Sequence, residues 1–401
     1  MPIKRVRRLV RWSMVWLVLT SAMVCLDAGV WVFHLDGPIR PVANVANMLT
    51  APGRMVLRAL VGGGARVDIL WIIVVNAVSW AVYLLTLWGA TAIWRRMVSS
   101  NGDGAAATTD TSRRAFLAKG GLGVAGFGLS AAPAYATVAE PWDLQVDRIT
   151  VPIRDLPPEL DGMRVVQISD THMGPRIPRS FIASAVERAI GLRPDLVALT
   201  GDYACISEAY IADAVEVLAP LVGAARFGVV GVLGNHDHWL NGPRIAQLMS
   251  DLGIRMIDND RVFLSPGGMS DECAPDALCI AGLGDLIGDT VRPDRAFRAI
   301  PDGTPRLALA HHPDTAELPE FAPGIAPRVD LMLCGHTHGG QVKLPFLGTP
   351  AIPSDYGDKY ASGMVQGPSC RVFVSKGVGM SILPVRFRVP PEINLITLVR
   401  A

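Results

Sequence analysis

Seven of the eight histidines in this 401-residue chain lie in or directly beside five short segments, three of which carry aspartate or asparagine. The segments are Asp170-Thr-His172, Gly201-Asp202, Gly234-Asn-His-Asp237, His311-His312-Pro313 and Gly335-His-Thr-His338. Imidazole nitrogens, carboxylates and an amide oxygen hold divalent ions such as Mn, Fe or Zn. A cysteine-bound structural zinc would need thiolates, and the set contains none. The segments hold too many candidate donors for one ion that keeps a position open for substrate. One shared carboxylate would let them serve two ions about 3.5 to 4 Å apart, the spacing that clamps the attacking and leaving oxygens in phosphoryl hydrolysis. A single Asp-x-His at a strand end is more often a hydrogen-bonded surface turn, but five such segments in one chain reverse that balance.

Each segment starts where an apolar run stops. Val165-Val-Gln-Ile-Ser169 leads into Asp170, Leu196-Val-Ala-Leu-Thr200 into Gly201, Val229-Val-Gly-Val-Leu233 into Gly234, Leu307-Ala-Leu-Ala310 into His311 and Leu331-Met-Leu-Cys334 into Gly335. The pattern predicts strands at 163–169, 195–200, 227–233, 278–283, 306–310, 330–334, 371–376 and 394–398. Apolar positions at three-to-four spacing predict helices at 180–191, 208–222 and 243–252. This alternation implies a layered α/β domain from about residue 141 onward. Ligand sites in such domains lie at the carboxyl ends of strands, where rigid strands hold converging loops. Five loops bringing Asp, Asn and His to one edge make an anionic cavity suited to cations.

In this order, D-x-H, G-D, G-N-H-D, a histidine after a strand and G-H-x-H resemble the calcineurin-like metallophosphoesterase family across residues 160 to 340. The tail, from Gly339-Gly-Gln341 through Tyr360 to Ile382-Leu-Pro-Val-Arg-Phe-Arg-Val-Pro-Pro391, is similar to its bacterial membrane-linked branch of YaeI/YkuE-type phosphodiesterases. The resemblance implies a four-layer αββα sandwich of two mixed sheets. It implies one metal held by Asp170, His172, Asp202 and His338, and a second held by Asp202, Asn235, His311 and His336, with Asp202 bridging. It also implies that His236 binds no metal but donates a proton to the leaving group or stabilises the transition state, with Asp237 orienting it. Cations lower the pKa of bound water, so a metal-bridged hydroxide would attack phosphorus in line while His236 assists departure. His238 and His312 match no ligand position and read as pocket or structural residues. Tyr203 either lines the site or packs beneath it.

Upstream, the chain changes character. Residues 12–35 are largely apolar and follow Lys4, Arg5, Arg7, Arg8 and Arg11; residues 69–94 form a second apolar run ending at Arg95-Arg96. Each is about as long as the hydrocarbon layer of a bilayer requires, and Trp12, Trp31, Trp71 and Trp94 fall near their ends, as interfacial aromatics do. Two transmembrane helices are therefore expected within residues 1–98. A linker follows, then Ser112-Arg-Arg-Ala-Phe-Leu-Ala-Lys119 and a glycine-rich, mildly apolar stretch ending at Ala134-Tyr-Ala136. This part, 99–140, reads either as an internal twin-arginine export signal, with its export machinery as a partner, or as a third span. Both readings put the catalytic domain, 141–401, on the outer face of the cytoplasmic membrane. Cleavage after Ala136 would release it.

The charge balance, 37 Lys and Arg against 36 Asp and Glu, shows no basic stripe interleaved with aromatics, and nucleic acid is excluded as a partner. The six cysteines form no CxxC pair; Cys273 and Cys279 are either a local disulfide or free thiols. The expected enzyme is a membrane-anchored dinuclear-metal hydrolase of a phosphodiester or pyrophosphate, with a lipid-linked or envelope substrate such as UDP-2,3-diacylglucosamine. The competing reading is a non-catalytic metal-binding scaffold or membrane sensor that keeps the fold. Such a protein would have no use for His236.

Overall fold

The computed structural model describes residues 135–401 apart from 326, 346 and 382. The two expected spans and almost all of the signal-like stretch lie outside these residues. Among the described residues no helix is long and apolar enough to cross a membrane.

The chain alternates strand and helix through its first half: β1 (Gln145–Ile153), β2 (Met163–Ile168), α1 (Arg179–Gly191), β3 (Leu196–Thr200), α2 (Ile211–Glu216), β4 (Val229–Val232), α3 (Asn235–Asp251) and β5 (Arg255–Met256). The second half is richer in strands: β6 (Arg261–Ser265), β7 (Gly268–Ser270), β8 (Leu278–Gly282), α4 (Pro293–Ala296), β9 (Arg306–Leu309), β10 (Leu331–Cys334), β11 (Gly363–Gln366), β12 (Arg371–Val374) and β13 (Glu392–Arg400). They form two mixed sheets, ordered β1-β13-β2-β3-β4-β5 and β11-β12-β10-β9-β8-β6-β7. Strands β2 to β5 run parallel, as do β8, β9, β10 and β12. The carboxyl ends of the parallel strands within each sheet therefore lie at one edge.

Period-two alternation assigns each strand's two faces. Val165, Leu196, Ala198, Val230, Val232 and Ile396 of the first sheet meet Ile280, Leu307, Leu309, Leu331, Leu333 and Phe373 of the second in one buried cluster. Their neighbours Val166, Ile168, Val197 and Leu199 face outward, against Ile182, Ala185, Ala189, Ile245 and Met249 of α1 and α3. Strands covered on both faces become continuous apolar runs, and all five residues of both β3 and β8 are buried.

The outer face of the second sheet departs from the expected helical layer. Ala281, Ala308, Met332 and Val374 are covered by Ala296 and Phe297 at the one-turn α4, by Phe321 and by Tyr360, and the turns at Pro313–Glu317, Pro319–Phe321 and Gly357–Tyr360 are 3-10. Pro319 and Pro323 follow the first two of these turns and force the residues before them, Leu318 and Ala322, into extended backbone, which stops the turns from growing into longer helices. The third expected helix also begins earlier than residue 243. Helix α3 begins at Asn235, contains Pro243 and is broken at Asn241 (φ −163°, ψ 75°), so the G-N-H-D motif caps and opens a helix.

Candidate metal centre

The five motifs converge at the carboxyl edge. Asp170, His172, Asp202, Asn235, His311 and His338 are each no more than 3 % exposed. Asp202 stands in the middle: its Oδ2 lies 3.4 Å from His172 Nε2 and 3.2 Å from His311 Nε2. On one side Asp170 Oδ1 faces His338 Nε2 at 3.4 Å and His172 Nε2 at 3.8 Å, and the two histidine nitrogens are 3.0 Å apart. On the other side His311 Nε2 is 3.2 Å from His336 Nδ1. Two sets of donors close enough to share one ion result, Asp170–His172–His338 and Asp202–His311–His336; a third set, His172–Asp202–His236, overlaps them.

The backbone is bent to achieve this. Asp170, His172, Asp202, His336 and His338 all have φ between 46° and 69°, a region that costs a side-chain-bearing residue about 1 to 3 kcal/mol and persists only where the surroundings enforce it. The glycines in the motifs give room for close approach. A Cβ on Gly335 would come within 2.0 Å of Ser169 Oγ and 2.2 Å of Asp170 Oδ2, and one on Gly234 within 2.3 Å of Asp202 Oδ1.

Hydrogen bonds then fix the side chains. His311 Nδ1 donates to the Thr200 carbonyl at 2.7 Å, which leaves Nε2 facing Asp202. Ser169 Oγ donates to Asp170 Oδ2 at 2.5 Å, and the His336 amide donates to both oxygens of Asp170 at 3.1 Å. The His236 amide donates to Asp202 Oδ1 at 2.9 Å.

The electrostatics fit bound cations. Burial pushes the Asp170 carboxyl up to about 6, with the neighbouring Asp202 adding to it against the pull of His311. Burial pushes His172 down to about 3 and holds His336 and His338 well below the usual imidazole range. Burial opposes charge on both Asp202 and His311, but their mutual attraction prevails, taking Asp202 well below and His311 well above their ordinary values. The result, His311 apart, is neutral imidazoles around closely spaced carboxylates. Asn235 Oδ1 is buried with no hydrogen-bond partner, a costly state for an amide oxygen that metal coordination would relieve. The donor set and this orphaned oxygen both fit a pair of divalent ions.

Residues 163–340 match the calcineurin-like phosphoesterase family. YkuE of Bacillus subtilis (strain 168), an uncharacterized metallophosphoesterase, is 33% identical over 293 residues, covering 72% of this chain and 97% of its own. This chain belongs to the calcineurin-like phosphoesterase family. Phosphodiesterase YaeI of Escherichia coli (strain K12) is 30% identical over 240 residues, 59% of this chain and 82% of that one. LpxG of Chlamydia trachomatis serovar D, a UDP-2,3-diacylglucosamine pyrophosphatase, is 24% identical over 320 residues, 65% and 91% respectively. These relatives support the YaeI/YkuE-type branch, and the chain is a metal-dependent phosphoester hydrolase of a family that uses two divalent metals.

Around this phosphoesterase centre the remaining expected residues divide. The His236 ring, half-buried, lies edge-on to His172 with centroids 4.8 Å apart. Asp237 does not hydrogen-bond that ring; its carboxylate accepts the backbone N–H groups of Asp202 (2.7 Å), Tyr203 (2.9 Å) and Gly234 (2.9 Å). It ties the start of α3 to the loop carrying Asp202 because three unpaired N–H groups converge there. Tyr203 is structural, 1 % exposed, with its hydroxyl donating to Val232 O at 2.7 Å. The His312 ring lies tilted against His336 with centroids 4.0 Å apart and accepts the Asp314 amide, whereas His238 packs near Gly242 and Gly288. The five described cysteines, Cys273 and Cys279 included, are free thiols. Ser169 and the Thr200 carbonyl were not anticipated, because a hydroxyl and a backbone oxygen leave no distinctive spacing.

Proposed function

We propose that the chain hydrolyses a phosphodiester or pyrophosphate as a membrane-anchored enzyme whose catalytic domain lies on the outer face of the cytoplasmic membrane, with a lipid-linked or envelope molecule as substrate. The observation that carries the chemistry is the pair of donor sets meeting at Asp202, with His236 held beside them. Asp170, His172, Asp202 and His338 would hold one ion, and Asp202, Asn235, His311 and His336 the other. Bound there, the ions would lower the pKa of water and offset charge on the phosphoryl oxygens. The protein's own part is to keep those donors in place and to assist the leaving group.

His236 is the residue for that second task. Its amide bond to Asp202 Oδ1 fixes where the ring starts, and burial lowers its pKa, so at neutral pH the ring is uncharged. A neutral imidazole still offers an N–H to the departing oxygen, where negative charge grows. Asp237 supports this indirectly by fastening the turn that carries His236.

The anchored location is supported by the two apolar runs and the twin-arginine-like segment, and the lipid-linked substrate by likeness to LpxG. The test is direct. The purified chain, stripped of metal and reloaded with Mn, is assayed on bis-p-nitrophenyl phosphate and on UDP-2,3-diacylglucosamine. We expect hydrolysis that vanishes with chelator; no metal-dependent release from any phosphoester would defeat the proposal. A topology reporter fused after residue 401 checks the location, and a cytoplasmic signal would overturn the outward placement.

A further inference from the structure

A guanidinium with no exposed surface lies behind one half of the metal centre. Arg386 heads the largest side chains that are completely buried, and a charge out of water is tolerated only when its hydrogen-bonding groups are satisfied. Its Nε donates to Gly379 O at 3.2 Å, and Nη1 to Val389 O at 3.0 Å. Nη2 reaches Lys376 O (2.8 Å), Gly377 O (3.0 Å) and Gly379 O (2.5 Å). The same Nη2 lies 3.4 Å from Nδ1 of His338. Burial lowers its pKa to about 10, which leaves it charged at neutral pH.

Three of the four carbonyls gathered by Arg386, those of Lys376, Gly377 and Gly379, belong to a strap that supports a second candidate ligand. The Gly379 amide donates to Asp170 O at 2.7 Å, and the Val378 amide to Ser169 O at 3.0 Å. Gly377 has φ +70°, and a Cβ there would come within 2.6 Å of Asp170 Cβ. One side chain thus reaches Asp170 through the strap and His338 by contact. The other half of the centre is held differently, with His311 anchored on the Thr200 carbonyl. A guanidinium only donates, and a ring that binds metal through Nε2 keeps its proton on Nδ1, so the contact of Arg386 with His338 is packing and its hold on the centre runs through the strap. Losing a group that keeps a metal ligand in place costs about 10- to 100-fold in metal affinity.

We infer that Arg386 is the positioning residue for the Asp170–His172–His338 half of the centre, holding the strap behind Asp170 and packing against the His338 ring so that this half retains its ion. The inference rests on the two-metal reading and concerns only that half. It also has a definite sign. A guanidinium acting mainly through its charge would repel a nearby cation, so its removal would tighten metal binding. A guanidinium acting by position does the reverse.

The test uses the full chain, metal-stripped, titrated with Mn by calorimetry, as wild type, Arg386→Met and Arg386→Lys. Arg306→Met serves as a control: this second buried arginine donates to the Ile300 and Pro301 carbonyls, outside the centre. We expect Arg386→Met to weaken one of two Mn equivalents by about 10- to 100-fold and leave the other unchanged, with Arg386→Lys between it and wild type. The rise in melting temperature on adding Mn, which reports metal binding to the folded state, should shrink in Arg386→Met but not in Arg306→Met, even if both melt lower. Wild-type or tighter Mn binding by Arg386→Met overturns the assignment, as does equal weakening of both equivalents. If that variant does not fold, wild-type Mn binding by Arg386→Lys overturns it. A wild-type chain that takes up no Mn would defeat the two-metal reading itself, before any variant is compared.

Discussion

Between the sheets, Leu307, Leu309, Leu331 and Leu333 are at most 1 % exposed and carry no polar side-chain atom; two residues beyond Leu309, and four and five beyond Leu333, His311 and Thr337-His338 are at most 3 % exposed. Burial is nearly constant along these strands while the chemistry reverses. The interior gains stability from each apolar contact, at roughly 25 cal/mol per Å² removed from water. The edge spends stability on left-handed backbone, desolvated carboxylates and an amide oxygen without a partner. The difference shows what the apolar interior is for: it is rigid enough to hold a polar cluster that would not stay together by itself, and whose donors are arranged to take cations.

The sharpest way to break this contrast is at its centre. Asp202→Asn removes the charge that faces both His172 and His311. We expect activity to fall by at least about a thousandfold, the several kcal/mol that metal polarisation supplies, with fewer than two metals bound by elemental analysis. His236→Ala should act on the chemistry alone, lowering kcat by about a hundredfold to ten-thousandfold while both metals stay bound. Loss of metal in that variant would make His236 a ligand, as its place in the third donor set allows.

The interior should answer in the opposite way. Leu278, fully buried between the sheets, can be cut to Ala at a cost of about 2 to 5 kcal/mol of stability, read by denaturant unfolding of the metal-loaded protein. Metal stoichiometry and kcat per folded molecule should not change. A variant that unfolds no sooner but loses metal would show that the interior and the edge are not separable.

The same contrast explains what could be read in advance. Central strands β2, β3, β4, β8, β9, β10 and β12 were legible because burial on both faces demands unbroken apolar runs. Edge strand β1 was not, since only two of its nine residues are buried and it contains Asp147, Arg148 and Pro152; β5 has two residues, and β11 alternates half-buried and exposed positions. In the centre, side chains that touch one another across loops announced themselves by type and by position after a strand. Asp237 was read for its neighbour in sequence, whereas its partners are the amides of Asp202, Tyr203 and Gly234. Arg386 comes from a segment 48 residues beyond His338, and only the fold brings the two together.

A pH titration sharpens the comparison with a smaller effect. Burial first, and then Asp202, raises the Asp237 carboxyl from an ordinary value near 3.8 to about 8. In the metal-free protein near pH 7 the folded chain therefore keeps a proton that the unfolded chain has released, and this favours folding. As pH rises through 8 the folded form must release it too, and the contribution is lost. His311, also raised, acts in the same direction, while the histidines with lowered pKa are neutral in both states above about pH 7.5. Chelator-treated protein should be less stable at pH 9 than at pH 7 by on the order of 1 kcal/mol. A flat or rising profile would mean that Asp237 is ionised in its ring of amides.

The smallest effect is expected where neither rule applies. Arg179, at the start of α1, bonds Asp213 and Glu216 at 3.2 Å, but all three side chains are 43 % exposed or more. Water and salt screen such pairs, and ordering two long side chains offsets most of the attraction. Arg179→Ala should leave the melting temperature, the metal content and kcat without resolvable change, even though its two ion pairs are as short as the contact between Asp202 and His311. If this variant lost as much as Leu278→Ala, distance rather than burial would govern the charges of this protein. The account of the edge as a place where buried charge must be completed by metal would then lose its basis.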